Sequence, residues 1–215
     1  MKIKINEIFT SIDGEVNRYG QGGLTTFIRL AGCNLRCSYC DTKQAQAMNA
    51  GDDMTIDEII KQVEVPKVTI TGGEPLCQKD ELIELINSLC FTGIKVTVET
   101  NGSLIIPYKA ITYPELIGWV IDYKFEYANQ MIFSNFYNAG KNDWMKFVLN
   151  NGSGSDYQLA VEIIKALSQN GGFQGNFAFG FTDKIKPAWL VDRMIKDGLD
   201  FVTLNCQIHK FLDLK

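Results

Sequence analysis

Apolar residues recur at helical spacing in four stretches of the chain. From Thr55 to Val63, Ile56, Ile59, Ile60 and Val63 fall at i, i+3, i+4 and i+7, and Thr55 with Glu58 forms a capping box. Lys79 to Leu89 repeats the spacing with Leu82, Leu85, Ile86 and Leu89. Asp156 to Leu167 places Ala160, Ile163, Ile164 and Leu167 on one face, after the linker-like Asn151-Gly152-Ser153-Gly154 and with Ser155 as the expected N-cap. Pro187 opens a fourth helix, with Val191, Met194 and Ile195 expected inward and Gly198 as its stop. Between these helices lie short apolar runs rich in β-branched and aromatic residues: Lys67–Thr71, Ile94–Glu99, Gly118–Asp122, Met145–Leu149, Asn176–Gly180 and Phe201–Leu204. Two further strands, Lys2–Phe9 and Thr25–Ala31, precede them.

Strands alternating with helices predict βα units and a mostly parallel sheet, hence an α/β fold with its site at the carboxyl ends of the strands. An eight-stranded barrel typically takes about 250 residues. The 215 residues of this chain therefore predict a partial, trimmed βα barrel, in one domain spanning 1–215. No internal repeat or low-complexity tract interrupts it.

Charge narrows the partners. The chain has 21 Lys+Arg against 25 Asp+Glu, a net charge of −4, which argues against nucleic acid or an anionic membrane as its main partner and favours small molecules. Met1 to Ser11 lacks the ~7–15-residue apolar core of a signal peptide, and no run approaches the ~18 apolar residues of a membrane span. A reducing, cytoplasmic setting is expected. There is one histidine, His209, so zinc sites built on several imidazoles are excluded.

Of six cysteines, Cys33, Cys37 and Cys40 are clustered, while Cys77, Cys90 and Cys206 are scattered. In a reducing setting, clustered thiols point to metal or redox chemistry. The loop Cys33-Asn34-Leu35-Arg36-Cys37-Ser38-Tyr39-Cys40 can hold three corners of a cubane iron–sulfur cluster, leaving the fourth iron open to a ligand. A zinc site completed by Cys77, Cys90 or Cys206 is the alternative. Thr71-Gly72-Gly73-Glu74-Pro75 follows the next strand, where paired glycines suit either close approach of a ligand or a plain strand-to-helix turn.

Together, the CxxxCxxC loop and the GGEP motif resemble the radical S-adenosylmethionine superfamily, whose fold is a full or partial βα barrel. Residues 7–15 (Glu-Ile-Phe-Thr-Ser-Ile-Asp-Gly-Glu), Phe27 to Cys37, Cys40-Asp41-Thr42, Glu99-Thr100-Asn101-Gly102 and the tail Gln207-Ile208-His209-Lys210 are similar to the 7-carboxy-7-deazaguanine synthase family over nearly the whole chain. The resemblance implies that Cys33, Cys37 and Cys40 hold a [4Fe-4S] cluster whose free iron chelates S-adenosylmethionine. It places Gly72, Gly73 and Glu74 at the amino group of S-adenosylmethionine, Tyr39 near its adenine, Glu99 at its ribose, and Asp122, Tyr123 and Lys124 among further cofactor contacts. Ile12, Asp13, Gly14, Glu15, Arg29, Thr71, Gln207 and His209 are implied to bind the substrate, and Thr42 to ligate Mg²⁺.

The implied reaction is radical ring contraction of 6-carboxy-5,6,7,8-tetrahydropterin to 7-carboxy-7-deazaguanine with loss of ammonia, on the route to queuosine and other deazapurines. A homodimer and a flavodoxin or ferredoxin electron donor are also implied. The chain departs from the family at Asp13, where Gln is usual, at Tyr39, where Trp is usual, and at Ile208, where Thr is frequent. Phe125 to Asp143 lacks the family's Pro/Ser-rich segment, so no contact is carried over there. The rival enzyme is a glycyl-radical activase, and the rival outside catalysis is an electron-transfer or zinc module.

Overall fold

The computed structural model describes residues 1–151, 154–169, 172–182 and 184–214. Two residues of the linker-like stretch, Gly152 and Ser153, fall outside that set. Strands β1 (Lys2–Ile12), β2 (Leu24–Leu30) and β3 (Asp52–Thr55) form an antiparallel end of the sheet; the rest is parallel. It continues through β4 (Lys67–Gly72), β5 (Lys95–Thr100), β6 (Ile117–Tyr123), β7 (Trp144–Leu149), β8 (Asn176–Phe181) and β9 (Val202–Leu204). The order is β3-β1-β2-β4-β5-β6-β7-β8-β9, with every pair from β2 to β9 parallel and no pairing that closes the sheet among the described residues. The expected open barrel is thus present as a nine-stranded sheet.

The helices are α1 (Ile56–Ile60), α2 (Lys79–Phe91), α3 (Phe133–Tyr137), α4 (Ser155–Gln169), α5 (Pro187–Asp197) and α6 (Ile208–Phe211). Thr55 caps α1 through the reciprocal bonds its spacing predicts, donating its N–H to Glu58 Oε2 at 2.8 Å and accepting the Glu58 N–H at 3.3 Å. The predicted apolar faces of α2 and α4 are buried. Helix α4 begins at Ser155 itself, one residue earlier than the N-cap reading placed it.

Helix α5 corrects its predicted face. Val191 is 40% and Ile195 74% exposed, and the buried side chain is Leu190; the turn that reaches the core is set by Leu190, with Met194 partly buried against it. Gly198 ends α5 in the left-handed conformation at φ 69°, which glycine adopts without a Cβ clash.

Candidate active site

Each parallel strand ends at one cavity of about 670 Å³. Arg29 comes from β2, Thr71 and Gly72 from β4, Glu99 from β5, Asp122 from β6 and Lys146 from β7, with Asn205 just beyond β9. This is where a βα fold gathers its functional groups. The cysteine loop, the segment from Ile12 to Glu15 and the tail with Gln207 and His209 complete the wall.

The cysteine loop is fixed from two sides. Asn101, at the end of β5, donates to Asn34 Oδ1 at 3.0 Å, while Asn34 donates to Ser103 Oγ at 2.8 Å. On the other side Glu126 accepts the Ser38 N–H at 2.9 Å and also the Ser38 hydroxyl, and the Tyr127 hydroxyl accepts the Arg36 N–H at 3.2 Å. These clamps come from the stretch after Phe125 for which the sequence offered no contact.

Gly72 and Gly73 are demanded by the protein's own backbone. A Cβ on Gly72, at φ 144°, would collide with the Leu30 backbone, and one on Gly73 with the Gly32 and Ala45 carbonyls. Gly73 N–H donates to Leu30 O at 3.0 Å and Glu74 N–H to Gly32 O at 2.7 Å, so the motif docks the end of β4 against the entry to the cysteine loop.

Two residues that the resemblance implies at the site, Glu74 and Tyr123, do not line the cavity. Glu74 is fully buried and absent from the cavity wall. Its carboxylate accepts from the Thr100 hydroxyl at 2.8 Å and from the Asn101 and Leu76 N–H groups at 2.6 and 3.0 Å, so it braces the loop behind the site. Burial pushes it up to about 7 against those donors. The Tyr123 side chain points away from the cavity into an aromatic cluster with Phe125, Phe136 and Phe147. Side chains at i and i+1 of a strand point to opposite faces, so the Asp122 side chain turns to the cavity and that of Tyr123 turns away.

The remaining implied residues line the cavity: Cys33, Cys37, Tyr39, Cys40, Thr42, Ile12, Asp13, Gly14, Glu15, Arg29, Thr71, Gly72, Gly73, Glu99, Asp122, Lys124, Gln207 and His209. Glu15 accepts from Gln207 Nε2 at 2.6 Å and Asn205 Nδ2 at 3.4 Å and is ion-paired to Lys146. Lys146 reaches Asp122 at 3.1 Å, and Lys124 meets the other Asp122 oxygen at 2.7 Å. Glu99 accepts from the Thr71 hydroxyl at 2.8 Å, and burial, reinforced by Glu15, raises it to about 8. The Arg29 Nε–H donates to Glu7 at 2.7 Å, laying the guanidinium over the Phe9 ring. The His209 ring packs on Gly14, where a Cβ would overlap it.

Asp13 is turned inward. It is 1% exposed, 3.0 Å from Lys67 Nζ, and accepts from the Thr69 hydroxyl at 2.9 Å. Burial raises it above the ordinary carboxylate value, opposed by Lys67. Sequence reasoning missed Lys67 and Lys146 because a lysine in an apolar strand reads as its solvent face.

Cys33, Cys37 and Cys40 are free thiols that all line this cavity. Three thiolates, each at a separate iron, suit a cubane cluster whose fourth iron faces the cavity. Tyr39 lines the cavity, and its buried hydroxyl has no hydrogen-bond partner among the described residues, as suits a ligand-binding position. At the rim, Thr42 Oγ1 donates to Asp41 Oδ1 at 3.0 Å, and these hard oxygens fit Mg²⁺.

Residues 27–182 match the sequence profile of the radical SAM superfamily. The 7-carboxy-7-deazaguanine synthase of Clostridium acetobutylicum is 40% identical over 222 residues, covering 99% of this chain and 96% of that protein. That of Methanospirillum hungatei is 35% identical over 219 residues, covering 99% and 86%. Among solved structures, QueE from Escherichia coli superposes with a TM-score of 0.75 at 19% identity, over 95% of this chain and 93% of that one. Streptococcus suis SuiB gives 0.53 at 15% identity, over 81% and 46%. The structural likenesses show the fold, and the sequence matches show that this chain belongs to the 7-carboxy-7-deazaguanine synthase family of the radical S-adenosylmethionine superfamily.

Proposed function

We propose that this chain converts 6-carboxy-5,6,7,8-tetrahydropterin into 7-carboxy-7-deazaguanine and ammonia, as a carbon–nitrogen lyase of queuosine or related deazapurine synthesis. The observation that carries the reading is the convergence of the three-cysteine loop with Arg29, Glu15, Gln207 and His209 on one cavity. The reaction is balanced: the atoms of the pterin equal those of the deazaguanine plus ammonia, with no net oxidation. No external oxidant is needed, and a hydrogen removed from the substrate is returned before ammonia leaves.

Cys33, Cys37 and Cys40 would hold the [4Fe-4S] cluster, and Tyr39, Gly72, Gly73, Glu99, Asp122 and Lys124 would surround S-adenosylmethionine. When bound, cluster and S-adenosylmethionine supply the hydrogen-abstracting radical. The protein's work is to bind, orient and exclude water. Arg29, aligned by Glu7, offers its terminal nitrogens to the substrate carboxylate as a fork. Glu15 accepts from the amino-pyrimidinone edge of the pterin, Ile12 and Gly14 flank that edge, Thr71 lies beside Glu99, and His209 covers Gly14. Thr42 would hold Mg²⁺ at the substrate carboxylate. Asp13, committed to Lys67 and Thr69 through its carboxylate and to Gly22 and Gly23 through its backbone, contributes by shaping the loop.

The family relationship also supports a homodimer, a flavodoxin or ferredoxin donor, a cytoplasmic setting and a single domain over 1–215. No helix among the described residues is long and apolar enough to cross a membrane. Anaerobic reconstitution with iron and sulfide, followed by reductant, S-adenosylmethionine and the carboxytetrahydropterin, tests the reading. Deazaguanine formed with little net consumption of S-adenosylmethionine is the expected result. Cleavage of S-adenosylmethionine without that product would favour another radical enzyme such as a glycyl-radical activase, and zinc in place of a cluster would refute both.

A further inference from the structure

The parallel register of β6 and β7 sets Asp122 beside Lys146, and both side chains line the cavity. Only 6% of the Lys146 side chain is exposed. Lysine is seldom buried unless paired, and this one is paired twice, to Asp122 Oδ1 at 3.1 Å and to Glu15 Oε2 in a closer contact. The two carboxylates belong to different ends of the site. Asp122 also pairs with Lys124, whose ammonium lies 5.8 Å from the Tyr39 ring centre, close to the cysteine loop. Glu15 instead holds the tail through Gln207 and Asn205.

An ammonium carries three donor hydrogens; Lys146 gives one to Glu15 Oε2, while Asp122 Oδ1 at 3.1 Å is an ion-pair partner without a hydrogen bond among the described residues. Donor capacity is left for an acceptor in the cavity that both side chains line. Although burial works against the charge, Asp122, Glu15 and Glu99 keep Lys146 protonated well above the ordinary lysine value. It therefore acts as a fixed cation and donor, too weak an acid to serve as a proton source near neutral pH.

We propose that Lys146 is a positioning residue of the reaction, bridging Glu15 on the substrate side to Asp122 on the cofactor side and so fixing the two ligands relative to one another. The inference rests on the proposed function for the identity of those ligands. Without the ammonium, two part-buried carboxylates lose their shared partner, and Glu15 is held only by the tail amides of Gln207 and Asn205. Misplacement of about 1 Å is enough to lose much of an orientation effect.

Three variants separate positioning from structure. Lys146→Met removes the charge, Lys146→Gln keeps a donor without charge, and Lys146→Arg keeps the charge. Calorimetric titration of the carboxytetrahydropterin into reconstituted but unreduced protein reads binding without turnover; 5′-deoxyadenosine released per deazaguanine formed reads coupling. Lys146→Met and Lys146→Gln are expected to weaken pterin binding at least about tenfold and to raise that ratio several-fold at unchanged iron content, with Lys146→Arg restoring most of both. Binding and coupling unchanged in Lys146→Met would overturn the proposal, as would joint loss of the cluster and of cooperative unfolding in all three variants, which would make the lysine purely structural. A wild-type protein that holds the cluster and cleaves S-adenosylmethionine but yields no deazaguanine would instead sink the functional reading.

Discussion

The carboxylate of Asp13 ends on Lys67 and Thr69, and the Thr69 hydroxyl continues to Thr25 at 3.0 Å, so a buried polar chain crosses from the substrate loop to β2. Breaking a buried pair from one side leaves an uncompensated charge, typically worth about 3–5 kcal/mol. Lys67→Met is therefore expected to destabilise the protein by roughly 3 kcal/mol in urea unfolding, and adding Asp13→Asn should recover part of that loss; equal stability of single and double variants would show that the pair is not coupled. Glu99 gives a pH signature of opposite origin. Its folded value, about 8, exceeds the ordinary 4.5, so the folded state binds the extra proton, and this contribution is complete below about 4.5 and is lost as pH rises to 8. The groups acting on Glu99 include Glu15, Asp13 and Lys146. Cluster-free wild-type protein should lose stability across that window while Glu99→Gln shows a flatter profile, as followed by unfolding at a series of pH values.

At the scale of elements, the cysteine loop is held by its neighbours as well as by any metal. Asn101 bonds Asn34 through its amide and accepts from the Ser103 N–H and hydroxyl at 3.0 and 2.6 Å. Asn101→Ala removes these three hydrogen bonds and the 4.0 Å contact of the Asn101 amide with Cys33 Sγ while keeping every cysteine, and unsatisfied buried polar groups cost about 1–3 kcal/mol each. Reconstituted Asn101→Ala should retain less iron per chain than wild type after gel filtration, and equal retention would show that the loop is ordered without this clamp. This clamp also shows where sequence reading reaches its limit. The strands β4 to β9 were legible because each is a short apolar run between helices, and the helix faces of α1, α2 and α4 because their period is uninterrupted. Strand β3, Asp-Asp-Met-Thr, carries no such signal and exists by pairing with β1. The side chains of α5 misled because Val191 and Ile195 keep the period while facing solvent. Helix α3 and the turn after Phe125 have no period at all, so Glu126 and Tyr127 could not be seen as clamps. Glu74 and Tyr123 were assigned by motif position, but a motif does not say which way a side chain turns, and both turn behind the site.

For the whole molecule, the open sheet raises the question of how its two ends enclose one cavity. They are joined by chain that is not strand. The segment after β1 meets the segment after β9: Val16 N–H donates to Asn205 Oδ1 at 2.8 Å, Ile208 N–H to Gly14 O at 3.1 Å, and Gln21 Nε2 to Gly14 O at 2.6 Å and to the Cys206 carbonyl. The tail thus closes the gap that an eight-stranded barrel would close with backbone pairing, and it does so on the substrate side. The cysteine loop is anchored separately, to the end of β5 and to Glu126. Removing the chain beyond Cys206 eliminates Gln207 from Glu15, the His209 ring from Gly14 and the exposed Lys210–Asp41 pair at 3.5 Å beside Cys40, but leaves those anchors in place. Hydrogen bonds to a charged group contribute about 1.5–3 kcal/mol, which corresponds to roughly tenfold or more in affinity. The truncated protein is expected to show a KM for the carboxytetrahydropterin raised at least about tenfold, with iron content and S-adenosylmethionine binding close to wild type. If cluster content falls in step with substrate affinity, the tail supports the whole barrel and the division of the cavity into a tail-closed substrate end and a loop-anchored cofactor end is wrong.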